Sequence, residues 1–231
     1  MTLESIRNEL QALANQDKAK IIQGFFKTRK GEYAEGDIFL GITVPKSREI
    51  AKKYNSIELE ELNSLLKSKI HEERLIALLI LIEKFNKSSD KKQIFDFYLN
   101  NTKYINNWDL VDLTADKILG KFLLDKSRKI LDKLAHSENL WERRIAIIST
   151  FNFIKDNQFD ETLKIAENLL NDSHDLIHKA VGWMLREIGK RSLPVLEEFL
   201  KKHYKSMPRT MLRYAIEKFP EEKRRLYLKR I

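Results

Sequence analysis

The sequence predicts an all-α protein, and three observations carry that prediction. Only seven Gly and four Pro interrupt 231 residues, so long stretches can stay helical without a breaker. Apolar residues recur at three- and four-residue spacing, as in Leu163, Ala166, Leu169 and Leu170, then Ile177, Val181, Met184, Leu185 and Ile188. That spacing gathers them on one face of a helix. Nowhere does the chain sustain the apolar–polar alternation of a half-buried strand.

Taken in order, the first clear break is Lys30-Gly-Glu-Tyr-Ala-Glu-Gly-Asp37, whose two glycines read as the longest loop of the chain. Phe39-Leu40-Gly41-Ile42-Thr43-Val44-Pro45 follows, and Pro45 suits the first turn of the next helix. Polar or capping residues then precede helices starting near Glu72, Trp108, Leu140 and Asp175, at spacings of 36, 32 and 35 residues. Shorter helical stretches lie between them, over 91–104, 127–134 and 160–170. A helix pair recurring every ~35–45 residues is the signature of a helical solenoid; an irregular bundle is the alternative. Met207-Pro208-Arg209-Thr210 opens a further helix carrying Arg213 and Tyr214, and Lys223, Arg224, Arg225, Lys229 and Arg230 load the tail with positive charge. The simplest division is one domain, 1–231, with N-terminal helices and loop (1–70), core repeats (71–205) and a basic cap (206–231).

Lys plus Arg number 43 against 34 Asp plus Glu, a formal charge of +9, which favours anionic partners such as nucleic acid. A surface merely rich in charge is the competing explanation, since charged residues make up 33%. Cysteine is absent, which excludes disulfides, thiol nucleophiles and thiolate metal sites and suits a reducing compartment. Residues 3–13 are interrupted by Glu4, Arg7, Asn8 and Glu9, so they lack the apolar core of a secretory signal. The longest apolar run, 75–82, falls far short of the ~20 residues a membrane span needs. A cytoplasmic protein without a membrane partner is expected. His71, His136, His174, His178 and His203 are scattered, and His174 with His178 lacks a third ligand; no metal or cofactor is expected. Nothing in the pattern demands a partner subunit, so a monomer is expected.

Three constellations carry chemistry. In Asn106-Asn107-Trp108-Asp109-Leu110-Val111-Asp112, Asn107 is a natural N-cap, and Asp109 is explained by the favourable field of a helix N-terminus. Asp112 lies one turn from both Trp108 and Asp116. Two carboxylates four residues apart repel by roughly 0.2–0.5 kcal/mol on an exposed helix, which calls for a cation; a neighbouring Lys or Arg supplies one as readily as a substrate does. The second constellation is a ridge of Lys179, Trp183, Arg186 and Lys190 beside Gly182. Its indole can lie against a sugar or base while its charges hold phosphates. Equally, Trp183 can seal the edge of the core and Gly182 can let two helices pack closely. The third is Trp141-Glu142-Arg143-Arg144. There Trp141 belongs to packing, and the two arginines point apart, so at most one shares a surface with Asp112.

On these residues the chain resembles the AlkD family of bacterial DNA alkylation repair glycosylases, built of HEAT-like helical repeats. The matching segments are Phe39 to Pro45, Trp108-Asp109-Leu110-Val111-Asp112, Trp141-Glu142-Arg143-Arg144, Lys179 to Glu187 and Met207 to Ala215, in the family's order across nearly the whole chain. The resemblance implies a right-handed helical solenoid of antiparallel helix pairs with a curved, concave basic face. It implies Asp112 as the catalytic carboxylate, Trp108 and Trp183 flanking the lesion's deoxyribose, and Arg144 and Arg186 holding the DNA backbone. Lys179, Lys190, Arg143 and Arg213 complete the expected DNA-binding set. The chain departs from the family in its longer Gly31–Gly36 loop and in Phe25 and Phe26, where the family has a tyrosine near the DNA.

The implied activity is hydrolysis of the N-glycosidic bond of cationic purines, N3-methyladenine and N7-methylguanine, in duplex DNA. Such bases depart without a proton, so the work left is to stabilise an oxocarbenium-like sugar and place a water. The rivals are a non-catalytic DNA-binding solenoid, which has the same charge and aromatic features, and a protein-interaction scaffold, which has no affinity for duplex DNA.

Overall fold

The computed structural model describes residues 2–229. Helices follow one another from Leu3 to Leu228. Among the described residues, β pairing is limited to a single parallel bridge between Ile38 and Ile70. The all-α expectation holds. The chain divides into two compact units, one ending at Leu110 and the other beginning at Val111.

The first unit contains α1 (Leu3–Leu13), α2 (Gln16–Phe25), α3 (Val44–Lys53), α4 (Leu59–Leu66), α5 (His71–Lys87) and α6 (Lys91–Asn100). Its centre is α5, which packs against α3, α4 and α6. Residues 71–82 of α5 are all buried, so this helix has no solvent face over its first three turns, and its polar residues must find partners inside. Glu73 is met by Arg7 at 3.2 Å. Glu72 accepts backbone N–H groups from Leu40, Gly41 and Ile42 at 2.9–3.2 Å. Converging three amides on one carboxylate requires a sharp bend, and Gly41 supplies it with φ +81°. The Phe39–Pro45 motif therefore has a folding role in this unit. Val44–Lys53 begins as expected, with Pro45 in its first turn.

In the second unit, α7 (Trp108–Ala115) starts just before the boundary and runs into a π-helical turn, Asp116–Gly120. Then come α8 (Lys129–Ala135), α9 (Leu140–Ser149), α10 (Phe151–Lys155), α11 (Asp160–Asn168), α12 (Asp175–Gly189), α13 (Leu193–His203), α14 (Arg209–Ala215) and α15 (Glu221–Leu228). The predicted starts near Glu72, Trp108, Leu140 and Asp175 fall within one residue of those observed. Asn139 caps α9, accepting from the Trp141 amide at 2.8 Å, and Asn107 accepts from the adjacent Trp108 amide at 2.8 Å. Helix α12 packs against α9, α11, α13 and α14. Ile177, Val181, Met184, Leu185 and Ile188, the stripe read from its spacing, are all fully buried. Each contributes ~1.5–3 kcal/mol relative to an exposed side chain. In the tail, Lys223 pairs with Glu197, and Arg224 and Arg225 with Glu221; Arg230 lies outside the described residues.

Gly182 sits where α12 meets α14. A Cβ there would collide with the Met211 carbonyl oxygen and the Tyr214 Cβ, so the glycine sets the closeness of this helix pair. Gly182→Ala should destabilise the protein by roughly 1–3 kcal/mol through overpacking. Gly24→Ala, on α2 with nothing near a new Cβ, should be neutral or stabilising by up to about 1 kcal/mol. Chemical denaturation midpoints of the two variants check this contrast.

Candidate active site

In the second unit, Asp112 of α7 faces Arg144 of α9. The guanidinium donates from Nε to Oδ1 at 2.9 Å and from Nη2 to Oδ2 at 2.7 Å, the fork geometry that favours arginine over lysine. Its Nη1 donates to the Leu176 carbonyl in the first turn of α12. Arg144 is buried, with 6% of its side chain exposed, whereas the Asp112 side chain keeps 16%. Arg144, expected on DNA phosphates, thus lies inside the unit with three of its five N–H donors used in these bonds. The carboxylate it holds is fixed in direction and reachable from solvent. Each carboxylate of the Asp112–Asp116 pair has the cation that the spacing called for: Asp112 has Arg144, and Asp116 meets Lys155 at 3.0 Å and Lys117 at 3.8 Å.

Lys155 also lies over the Phe151 ring at 4.0 Å, and Phe151 packs tilted against Trp183 with centroids 5.9 Å apart. The Trp183 indole, half-buried, donates from Nε1 to Glu187 at 3.2 Å. Glu187 is itself buried beneath Lys190 at 2.6 Å and Arg191 at 3.6 Å. Trp183 is therefore held from its N–H end by a carboxylate that two cations hold in turn.

The ridge predicted on α12 exists, but each of its cations has an acidic neighbour. Lys179 pairs with Asp175 at 2.8 Å, Lys190 with Glu187, and Arg186 with Glu217 of the segment after α14. A hydrogen bond from Lys218 and the Arg186 charge hold the Glu217 carboxyl below the usual range, against a smaller opposing effect of burial. The Lys179–Asp175 pair is exposed on both sides and contributes ~0–1 kcal/mol, so a phosphate can compete for Lys179; the Lys190 and Arg186 pairs each have one buried or partly buried partner. Arg143 is braced differently, with Asp172 at 2.6 Å and the carbonyls of Ser137 and Glu138 at 2.9 Å. Arg213 is exposed, and no ion pair holds it among the described residues.

Trp108 belongs to the packing of the first unit. Its indole stacks on Phe26 at 5.0 Å with planes 9° apart, and Phe25 meets its edge at 6.0 Å. Nε1 donates to the Tyr33 hydroxyl at 3.2 Å, which brings the Gly31–Gly36 loop onto this tryptophan. Phe39 continues the stack beneath Phe26 at 5.0 Å. One face of the indole is thus committed to the protein.

Beside this stack is a group the sequence did not reveal. His71, at the start of α5 and 2% exposed, directs Nε2 at Asp109 at 2.8 Å and Nδ1 toward Asp37 at 3.7 Å. Arg74 closes the cluster, donating to Asp37 at 2.6 Å, and the imidazole stacks on Phe39 at 4.5 Å. Asp109 is therefore both a helix-terminal charge and half of a buried ion pair. Burial, the largest single influence, pushes the His71 pKa down. The charge and hydrogen bond of Asp109 and the hydrogen bond of Asp37 together outweigh burial and the Arg74 charge, so it is raised above 6.5. A raised folded-state value stabilises fully below pH 6.5, and that stability is lost as pH climbs through the folded value. The difference in unfolding free energy between wild type and His71→Gln should therefore shrink as pH rises above 6.5. Urea titrations at successive pH values measure it, and a difference constant with pH contradicts the assignment.

Comparison with known proteins follows the same lines. The family model described as DNA alkylation repair enzyme matches residues 6–219. A solved structure described as a predicted DNA alkylation repair enzyme from Enterococcus faecalis is similar, with a TM-score of 0.69 and 18% identity, over 90% of this chain and 97% of that one. AlkD2 from Streptococcus mutans is similar with a TM-score of 0.58 and 19% identity, over 89% and 99% of the two chains. No curated protein sequence matches significantly. At these identities the structures speak for the fold, while the family model spans nearly the whole sequence, and the chain belongs to the DNA alkylation repair enzyme family.

Proposed function

We propose that the protein is a DNA glycosylase that releases cationic alkylated purines, N3-methyladenine and N7-methylguanine, from duplex DNA. The observation that carries this reading is the Asp112 carboxylate, gripped on two oxygens by a buried arginine and still open to solvent. Its solvent-exposed edge can lie against a sugar that turns positive and accept from a water.

The step balances without an acid. The electron pair of the N-glycosidic bond moves onto the ring nitrogen and cancels the positive charge of the alkylated base, which leaves neutral. Water adds to C1′ and gives its proton to Asp112 or to solvent. Because the leaving group needs no proton, preorganised negative charge is the main contribution required of the protein. Trp183, held by Glu187, offers an electron-rich face to the same sugar. For Trp108 the corresponding role rests on the family resemblance alone. Lys179, Arg186, Lys190 and Arg213 contact phosphates, the first three by exchanging carboxylate partners. Arg144 acts through Asp112 rather than on the DNA.

One observation favours a second reading, a DNA-binding protein without catalysis. The Asp112–Arg144 pair is nearly neutral as a unit, and that weakens its attraction for a developing cation. The two readings separate on Asp112→Asn, which keeps an acceptor for Arg144. The glycosylase loses on the order of 10²–10³ in base release from N7-methylguanine duplex with duplex affinity unchanged, measured as free base in single-turnover reactions. Wild-type protein that binds the duplex yet liberates no base rejects the catalytic reading.

A further inference from the structure

Helix α2 presents an apolar pair that the fold does not use. Ile21 and Phe25, one turn apart, are 73% and 67% exposed. Phe25 is nevertheless held in place, edge-on to Phe26 at 5.3 Å and to Trp108 at 6.0 Å. It projects from an aromatic cluster of Phe26, Phe39 and Trp108. Close to the pair in sequence are Lys18, Lys20, Lys27, Arg29 and Lys30, all exposed. Among the described residues none of the five is in an ion pair, in contrast to the cations of α12. The nearby acids Glu32 and Glu35 accept from the backbone amides of Arg29 and Gly31 at 2.8 Å.

We infer that Ile21 and Phe25 are a wedge that enters a base step of duplex DNA while these five cations hold the flanking phosphates. This deepens the proposed function and rests on its premise that the partner is duplex DNA. Apolar side chains inserted between base pairs unstack the step and are offset by stacking on the inserted ring and by phosphate contacts. Two projecting side chains suit one step. A helix lying in a lipid surface needs an apolar face along its whole length, whereas α2 has ten residues with Asp17 in its first turn. A purely apolar protein groove would give the surrounding cations nothing to meet.

Phe25 beside Trp108 gives the wedge its purpose. Unstacking next to a lesion reduces the grip of neighbouring base pairs on the damaged nucleotide. Its sugar can then approach the indole.

The test uses the full-length protein and an undamaged duplex carrying 2-aminopurine, whose fluorescence rises when it unstacks. Both side chains are exposed, so Ile21→Ser/Phe25→Ser should keep the wild-type melting behaviour. Wild-type binding should raise the fluorescence. The double variant should bind on the order of ten-fold more weakly, leave the probe stacked, and keep the wild-type slope of affinity against salt, because the phosphate contacts are intact. Wild-type binding without unstacking, or a double variant that binds and unstacks normally, overturns the wedge. So does a pair needed for binding vesicles of anionic lipid but not for binding DNA. Base release assayed in parallel keeps the two ideas apart. A wild type that unstacks the probe but frees no base sinks the glycosylase and leaves the wedge standing.

Discussion

One guanidinium ties together the part of the molecule that matters most. Arg144 on α9 reaches the Asp112 carboxylate on α7 and the Leu176 carbonyl at the start of α12, so three helices of the second unit meet at a single buried cation. Burying a charge is expensive, and a buried pair adds little net stability over apolar residues of similar size. Breaking it is another matter, since the survivor is left uncompensated at a cost of about 3–5 kcal/mol. The arrangement is thus better understood as a device for geometry than for stability. It fixes where the carboxylate points, and 16% of the Asp112 side chain stays exposed.

The same logic recurs at both tryptophans. Trp183 spends its N–H on Glu187, which Lys190 and Arg191 brace, and Trp108 spends its own on Tyr33 while lying flat on Phe26. An indole fixed at its polar end offers a defined face. A site that acts by electrostatics rather than by proton transfer gains from such rigidity, because preorganised groups need no reorientation as charge develops.

Much of the fold was legible. The starts of α7 and α9 were marked by the asparagines before them and those of α5 and α12 by apolar spacing, both local signals. Gly182 was legible as a close-packing residue, and Asp112 as a carboxylate in need of a cation. The identity of that cation was not, because Arg144 lies 32 residues away and only tertiary packing chooses it over Arg143. The role of His71 is hidden in the sequence for a similar reason. Its partners Asp37 and Asp109 lie far from it in sequence on either side, and Asp109 already had a sufficient local explanation. The ridge on α12 looked more positive than it is, because Glu217, which meets Arg186, sits on a different element. Phe25 stands out in the sequence only as a departure from the family and Ile21 not at all, because the exposure of both is set by tertiary packing.

The central claim is that Asp112 acts on the sugar and Arg144 acts only by holding Asp112. Single-turnover release of N7-methylguanine from duplex DNA by Asp112→Asn, Arg144→Gln and the double variant tests it most directly, with each protein saturated by DNA and shown to be folded. The account predicts a large loss for Asp112→Asn and no further loss when Arg144 is also replaced. Wild-type release by Asp112→Asn, or losses that multiply in the double variant, would contradict it.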